Sequence, residues 1–123
     1  MAIKVFIVED NEDIGFILES YLSEEGFEVS LFPSVSAFKA VYPSRLPQVF
    51  LLDVMLPDGD GIALCNEIKN NPEAGALPVV LMSAHSPAEQ IVTKSKADNF
   101  IKKPFDLELI SKTLMDAVHR LIT

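Results

Sequence analysis

The sequence is short of cysteine, short of positive charge, and has no long apolar run. Its one cysteine, Cys65, has no partner for an internal disulfide, which suits a reducing, cytoplasmic setting. Cys65 lies in a helix-like stretch and reads as a small packing residue rather than a reactive thiol. Ten basic residues stand against 18 acidic ones, a formal net charge of −8. That balance provides no basic face for direct nucleic-acid binding and disfavours adhesion to anionic membranes. The apolar run near the N-terminus is interrupted at Glu9-Asp10, too early for a secretion signal or a membrane span. Internal repeats, low-complexity tracts and interdomain linkers are not visible either. With 123 residues, 49% of them hydrophobic, the expectation is one domain over residues 1–123 with a single sizeable core.

What the sequence does have is a run that stops at a carboxylate. Val49-Phe50-Leu51-Leu52 is the type of segment expected of a strand buried on both faces. It ends at Asp53, and Pro57-Asp58-Gly59 then signals a turn. Similar runs occur at Ile3 to Val8, Phe27 to Phe32, Leu77 to Met82 and, briefly, Phe100-Ile101. Between them lie helical patterns. Ile14, Ile17, Leu18, Tyr21 and Leu22 repeat on one face, with Asn11 or Asp13 as cap and Gly26 as stop. A weak helix is expected over Val35 to Val41. Ile62, Leu64, Cys65 and Ile68 form a third face, ended by Asn70-Asn71-Pro72. Ser86-Pro87-Ala88-Glu89 has capping-box spacing but leads into mediocre helix formers. Asp106 should cap a last helix with the stripe Leu107, Ile110, Leu114, Ala117, Val118 and Leu121. Five strands alternating with five helices predict an α/β fold. Its form is a doubly wound (βα)5 three-layer sandwich on a five-stranded parallel sheet, flavodoxin-like in class.

Polar residues collect where the apolar runs stop: Glu9 and Asp10 after the first, Asp53 after the third, Ser83 after the fourth, Lys103 after the fifth. In a doubly wound sheet these carboxyl ends line one edge. Singly, each residue has a plain explanation. Asp53 caps a loop, Glu9-Asp10 favours a helix dipole, Ser83 makes a local turn bond, and Lys103 is a solvated surface lysine. Together they bring three carboxylates to one place, where they would repel one another. A divalent cation with a preference for oxygen and retained water, Mg2+, relieves that repulsion. Ser83 and Lys103 would then hold phosphoryl oxygens. The set describes a carboxylate nucleophile beside a metal, suited to accepting a phosphoryl group.

The motifs Val8-Glu9-Asp10-Asn11, Leu52-Asp53-Val54-Met55-Leu56-Pro57 with Gly61, Met82-Ser83-Ala84 and Phe100-Ile101-Lys102-Lys103-Pro104-Phe105 together resemble the response-regulator receiver family of two-component signalling. This is the fold of the bacterial chemotaxis regulator, and the resemblance runs over essentially the whole chain. It implies that Asp53 is the phosphoacceptor. Asp10 and Asp53 would bind Mg2+ through carboxylates, Met55 through its backbone carbonyl and Glu9 through water. Ser83 would move toward the attached phosphoryl group, Lys103 would pair with it, and the Lys103-Pro104 bond would be cis. Phe100 would be the aromatic switch, turning inward as Ser83 moves and changing the surface of the fourth helix, fifth strand and fifth helix; the plainer reading of Phe100 is core packing. The implied donor is a histidine kinase or a histidine phosphotransfer protein, and the implied role is a switch with slow self-catalysed phosphorylation and dephosphorylation rather than a turnover enzyme.

Other readings fit less well. An aspartyl phosphohydrolase wants a second acid two residues after its nucleophile, where this chain has Met55. A flavodoxin-like cofactor binder wants a small, hydroxyl-rich phosphate loop after the first strand, where Glu9-Asp10-Asn11-Glu12 would repel a phosphate. A receiver-like scaffold that is never phosphorylated would not need the full residue set. The chain departs from the family pattern in three ways. Position 9 is Glu rather than Asp, the stretch from Ser83 to Lys103 is short, and Lys96 precedes Ala97 where the family has glycine. The expected consequence is a short or mobile fourth helix. His85, two residues after Ser83, either influences water access to the phosphoryl group or is an exposed loop residue.

Overall fold

The structure, a computed structural model, describes residues 2–84, 95–103 and 106–122. The expected fourth helix, His85 and the Lys103-Pro104 bond lie outside the described residues, as does the Leu121 side chain. The elements are β1 (Ile3–Val8), α1 (Glu12–Glu24), β2 (Phe27–Phe32), α2 (Val35–Lys39), β3 (Val49–Asp53), β4 (Met55–Leu56), β5 (Gly59–Asp60), α3 (Gly61–Asn70), β6 (Val79–Ser83), β7 (Asn99–Lys102) and the C-terminal helix α4 (Leu107–Ile122). Five strands form a parallel sheet in the order β2-β1-β3-β6-β7. The doubly wound α/β architecture is the one expected.

Strand alternation sends side chains to opposite faces. Phe6, Val8, Phe50, Leu52 and Leu81 pack with Phe38 of α2 and with Leu64, Cys65 and Ile68 of α3. Val5, Ile7, Val49, Leu51, Val80 and Met82 pack with Leu18 and Leu22 of α1 and with Ile110, Leu114, Ala117 and Val118 of α4. Because helices cover both faces, β3 and β6 are buried at every position, which is why they read as unbroken apolar runs. Burial of Cys65 holds its thiol up at about 11, so it packs as a small hydrophobe.

Local signals explain most helix ends. The Asn11 side chain accepts from the Ile14 amide at 3.0 Å and caps α1. Gly26 follows that helix with φ +96, a conformation L side chains rarely adopt. The Asp106 carboxylate accepts from the Glu108 amide at 2.9 Å at the start of α4.

Several expectations need correction. Ile17 is not on the buried face of α1 but 47% exposed; Gly15, Leu18 and Leu22 are buried instead. The cause is Gly15. A Cβ there would come 2.9 Å from Leu31 Cδ2, so its absence lets β2 press on the helix at that position and turns Ile17 outward. The turn after Asp53 is more ordered than a simple reversal, because β4 and β5 pair antiparallel as a small hairpin, Met55 with Asp60 and Leu56 with Gly59. Strand β6 begins at Val79 and runs on to Ser83, and α2 stops at Lys39 rather than Val41. A cis Tyr42-Pro43 bond lies in the turn after α2.

Candidate functional site

The parallel register delivers the polar residues to one edge. Val8 lies beside Leu52, Asp53 beside Met82, and Ser83 beside Lys102. The next residue along each strand therefore enters the same neighbourhood. Glu9, Asp10 and Asp53 each offer a carboxylate oxygen, all within 4.8 Å of one another. Glu9, Asp53 and Ser83 are buried while Asp10 is exposed. Glu9, Asp10, Asp53 and Lys103 line an open concavity of about 330 Å³, with Ile14, Met55 and Ala84 as its less polar wall.

Lys103 holds the cluster together. Its Nζ donates to Glu9 Oε1 at 2.6 Å and to Asp53 Oδ2 at 3.0 Å. Burial by itself would lower the lysine's pKa, but the hydrogen bonds to Glu9 and Asp53 outweigh it and hold the ammonium above the usual lysine range. Glu9 moves upward, chiefly because burial penalises its charged form, and its bond from Lys103 offsets only part of that. The remaining oxygens are also engaged. The Asn11 amide donates to Glu9 Oε2 at 3.1 Å, and the Met55 amide donates to Asp53 Oδ1 at 3.2 Å. The Lys103 amide donates to the Ser83 carbonyl at 2.9 Å, joining the ends of β6 and β7.

The structure thus brings together Glu9, Asp10, Asp53, Met55 and Lys103, with Ser83 at the adjoining strand end. Phe100 is half-buried against the core on the α2–α3 face. Three oxygens at that spacing are compatible with an octahedral cation of the Mg2+ type, whose opposite ligands stand about 4 Å apart. Hard, anionic oxygen donors are also the right chemistry for it. Met55 is 58% exposed, so its side chain does not seal the site from an incoming donor.

Comparison with known proteins decides the family. The model of the response regulator receiver domain matches residues 5–115. The chain belongs to the response regulator receiver family. It is a phosphoacceptor module of two-component signalling. This receiver is 34% identical over 107 residues to the phosphate regulon transcriptional regulatory protein PhoB of Rhizobium meliloti, covering 85% of this chain and 47% of the relative. It is 30% identical over 119 residues to the transcriptional regulatory protein YxdJ of Bacillus subtilis, covering 95% and 51%. The receiver spans about half the length of these relatives. Among solved structures, the signal receiver domain of a histidine kinase from Syntrophus aciditrophicus aligns with TM-score 0.88 and 26% identity, over 97% of this chain and 92% of that one. NtrX from Brucella abortus aligns with TM-score 0.88 and 31% identity, over 99% and 28%.

Sequence reasoning overlooked several contacts, some beside the receiver's site and some at the opposite edge of its sheet. Asp60 caps α3 by accepting from the Ile62 amide at 2.8 Å. Asp58 accepts from the Val35 and Ser36 amides at 2.8 and 2.9 Å. Lys69 reaches Asp98 at 2.6 Å and the Leu77 carbonyl at 2.7 Å. Lys96, an oddity by family pattern, is tied to α3: its amide donates to Asn66 Oδ1 at 2.8 Å and its Nζ to Asn70 Oδ1 at 2.6 Å. Pro57-Asp58-Gly59 is a turn signal in the sequence, and the cap at Asp60, next along the chain before the helical face, could have been read from it. The other contacts cross too much sequence to be read locally.

Proposed function

We propose that Asp53 is the phosphoacceptor of a single receiver domain spanning residues 1–123, with a histidine kinase or histidine phosphotransfer protein as donor. The observation that carries this reading is Lys103 Nζ bridging Glu9 and Asp53 within an acidic cluster that opens to solvent. A carboxylate oxygen of Asp53 attacks the phosphorus of a phosphohistidine. The P–N bond breaks, an acyl phosphate forms, and the imidazole leaves with its electron pair and takes a proton. Asp10 and Asp53 would hold Mg2+ through carboxylates, Met55 through its carbonyl and Glu9 through water, and the ion would supply positive charge to the phosphoryl oxygens. Lys103 gives Asp53 Oδ2 a partner before transfer and is placed to pair with a phosphoryl oxygen after it. Slow self-phosphorylation from small donors and slow hydrolysis follow from the same residues.

The added phosphoryl group brings roughly −1.5 to −2 charges to the strand end. Ser83 then gains an acceptor, and Phe100, half-buried beside the core, turns inward into the space vacated. The surface made by β7, α4 and the helix expected between β6 and β7 changes, which is a population shift with a local electrostatic trigger. The reading implies a cytoplasmic site of action, and among the described residues no helix is long and apolar enough to cross a membrane. The test is intact-protein mass spectrometry after incubation with acetyl phosphate, with and without Mg2+, on wild type and Asp53→Asn. One Mg2+-dependent phosphoryl adduct that disappears in the variant is expected. An adduct that persists in Asp53→Asn would place the acceptor elsewhere.

A further inference from the structure

Asp58 stands at the tip of the β4–β5 hairpin, and its carboxylate does not face the acidic cluster. Its two oxygens instead take one backbone amide each from the first turn of α2, Val35 at 2.8 Å and Ser36 at 2.9 Å. The hairpin lies tightly on that helix, because a Cβ at Gly59 would come 2.9 Å from Val35 Cγ2. At its other end the hairpin begins with Met55, whose amide donates to Asp53 Oδ1 at 3.2 Å and whose partner across the ladder is Asp60. Asp60 in turn caps α3. The short segment that forms one wall of the site is therefore tethered to Asp53, to α3 and, through Asp58, to α2.

We infer that Asp58 is a positioning residue for the cation and phosphoryl site: by clamping the hairpin to α2 it fixes the backbone at Met55 toward the acidic cluster. This inference rests on the proposed metal-dependent phosphoacceptor role. A carboxylate fits the task because each oxygen takes one amide; a carboxamide offers a single oxygen, and alanine none. Groups that orient ligands from outside the coordination shell commonly change metal affinity when lost. Coupling between sites is reciprocal, so cation binding at the strand ends must also tighten the first turn of α2.

The experiment is isothermal titration of Mg2+ into the full chain as wild type, Asp58→Ala, Asp58→Asn and Ser34→Ala. Ser34 is the control, since its hydroxyl caps the same helix by accepting from the Ala37 amide at 3.1 Å but is not part of the hairpin. The expected result is a Kd weakened about tenfold in Asp58→Ala, less in Asp58→Asn, and unchanged in Ser34→Ala. Amide exchange at Val35 and Ser36 of the wild type should slow when Mg2+ is added. Wild-type affinity in both Asp58 variants, or equal weakening in Ser34→Ala, would overturn the positioning role and leave the site reading standing. Absence of Mg2+ binding by the wild type would overturn the site reading and this inference with it.

Discussion

The two faces of the sheet are built by different means. On one, α1 and α4 are 13 and 16 residues long and pack aliphatic side chains onto Val5, Ile7, Val49 and Leu51. On the other, α2 has only five residues, and the core is aromatic. Phe38 stacks on Tyr42 with centroids 4.9 Å apart and meets Phe6, Phe32 and Phe50 edge-on. A five-residue helix has no stability of its own. It persists because large rings bury beneath it and because groups from elsewhere hold it: Ser34 and Asp58 at its start, and the Lys39–Glu67 ion pair to α3 at its end. The long helices are held by the broad apolar face each buries, whereas the short one also borrows hold from the loop beside the candidate site.

The sharpest way to break that contrast is to truncate one buried side chain on each face. Phe38→Ala should destabilise by about 3–5 kcal/mol and Leu114→Ala by about 2–5 kcal/mol in urea titrations. The difference should appear in hydrogen exchange. Phe38→Ala should expose the α2 amides well below the global unfolding energy, while Leu114→Ala should lower protection across the whole sheet. Uniform loss in both variants would mean that α2 is not a separate, dependent unit.

A smaller effect is expected where the aromatic face meets the end of β3. A Cβ at Gly61 would lie 2.1 Å from the Asp53 carbonyl oxygen, so backbone must move to admit it. Gly61→Ala should cost about 1–3 kcal/mol and reduce phosphoryl uptake from acetyl phosphate at the same time. Retained uptake at reduced stability would show that the displacement is absorbed by α3 alone. Smaller again is the Tyr42 hydroxyl, which is buried and has no hydrogen-bond partner among the described residues. Tyr42→Phe keeps the stacking and removes the orphaned group, and should raise stability by about 1 kcal/mol; a loss would reveal a partner for the hydroxyl.

Asn11 holds the start of α1 with a carboxamide, while Asp58 holds α2 with a carboxylate. The amides of Ser36 and Val35 keep the Asp58 carboxyl below its ordinary 3.8. A depressed acid stabilises the fold fully above that ordinary value and loses the contribution as pH falls through its folded value. Below pH 3.8, the Val35 and Ser36 amide signals should therefore titrate in an NMR series. The Ile14 amide, bonded to the Asn11 carboxamide, keeps its hydrogen-bond partner over the same range.

Much of this architecture was legible because a parallel sheet buried on both sides leaves a simple imprint. Val49 to Leu52 and Val79 to Met82 are unbroken apolar runs, and whatever polar residue follows must emerge at the same edge. Asp53, Ser83 and Lys103 could be grouped on that ground, together with Glu9 and Asp10. Periodicity misplaced Ile17 because the face of α1 is set by the close approach of Leu31 at Gly15, and a residue without a side chain adds nothing to an apolar pattern. The role of Asp58 was hidden for another reason. Its partners are main-chain amides 22 and 23 positions earlier, and no spacing rule reaches across two strands and a helix. Lys96 was noticed only as a departure; its bonds to Asn66 and Asn70 give it a structural use on α3.

Lys103 lies 94 positions after Glu9 and 50 after Asp53. As the chain leaves the ribosome, the acidic residues emerge first and wait for their cation until β7 has been made. Only when β7 adds to the open edge of β6 does the ammonium arrive between them. Contacts of such long range are the last to become favourable, because the intervening chain must be ordered first. The lysine-bridged acidic cluster is therefore also a signature of a completed sheet, since a nascent or partly unzipped chain carries the carboxylates without the lysine that knits them together.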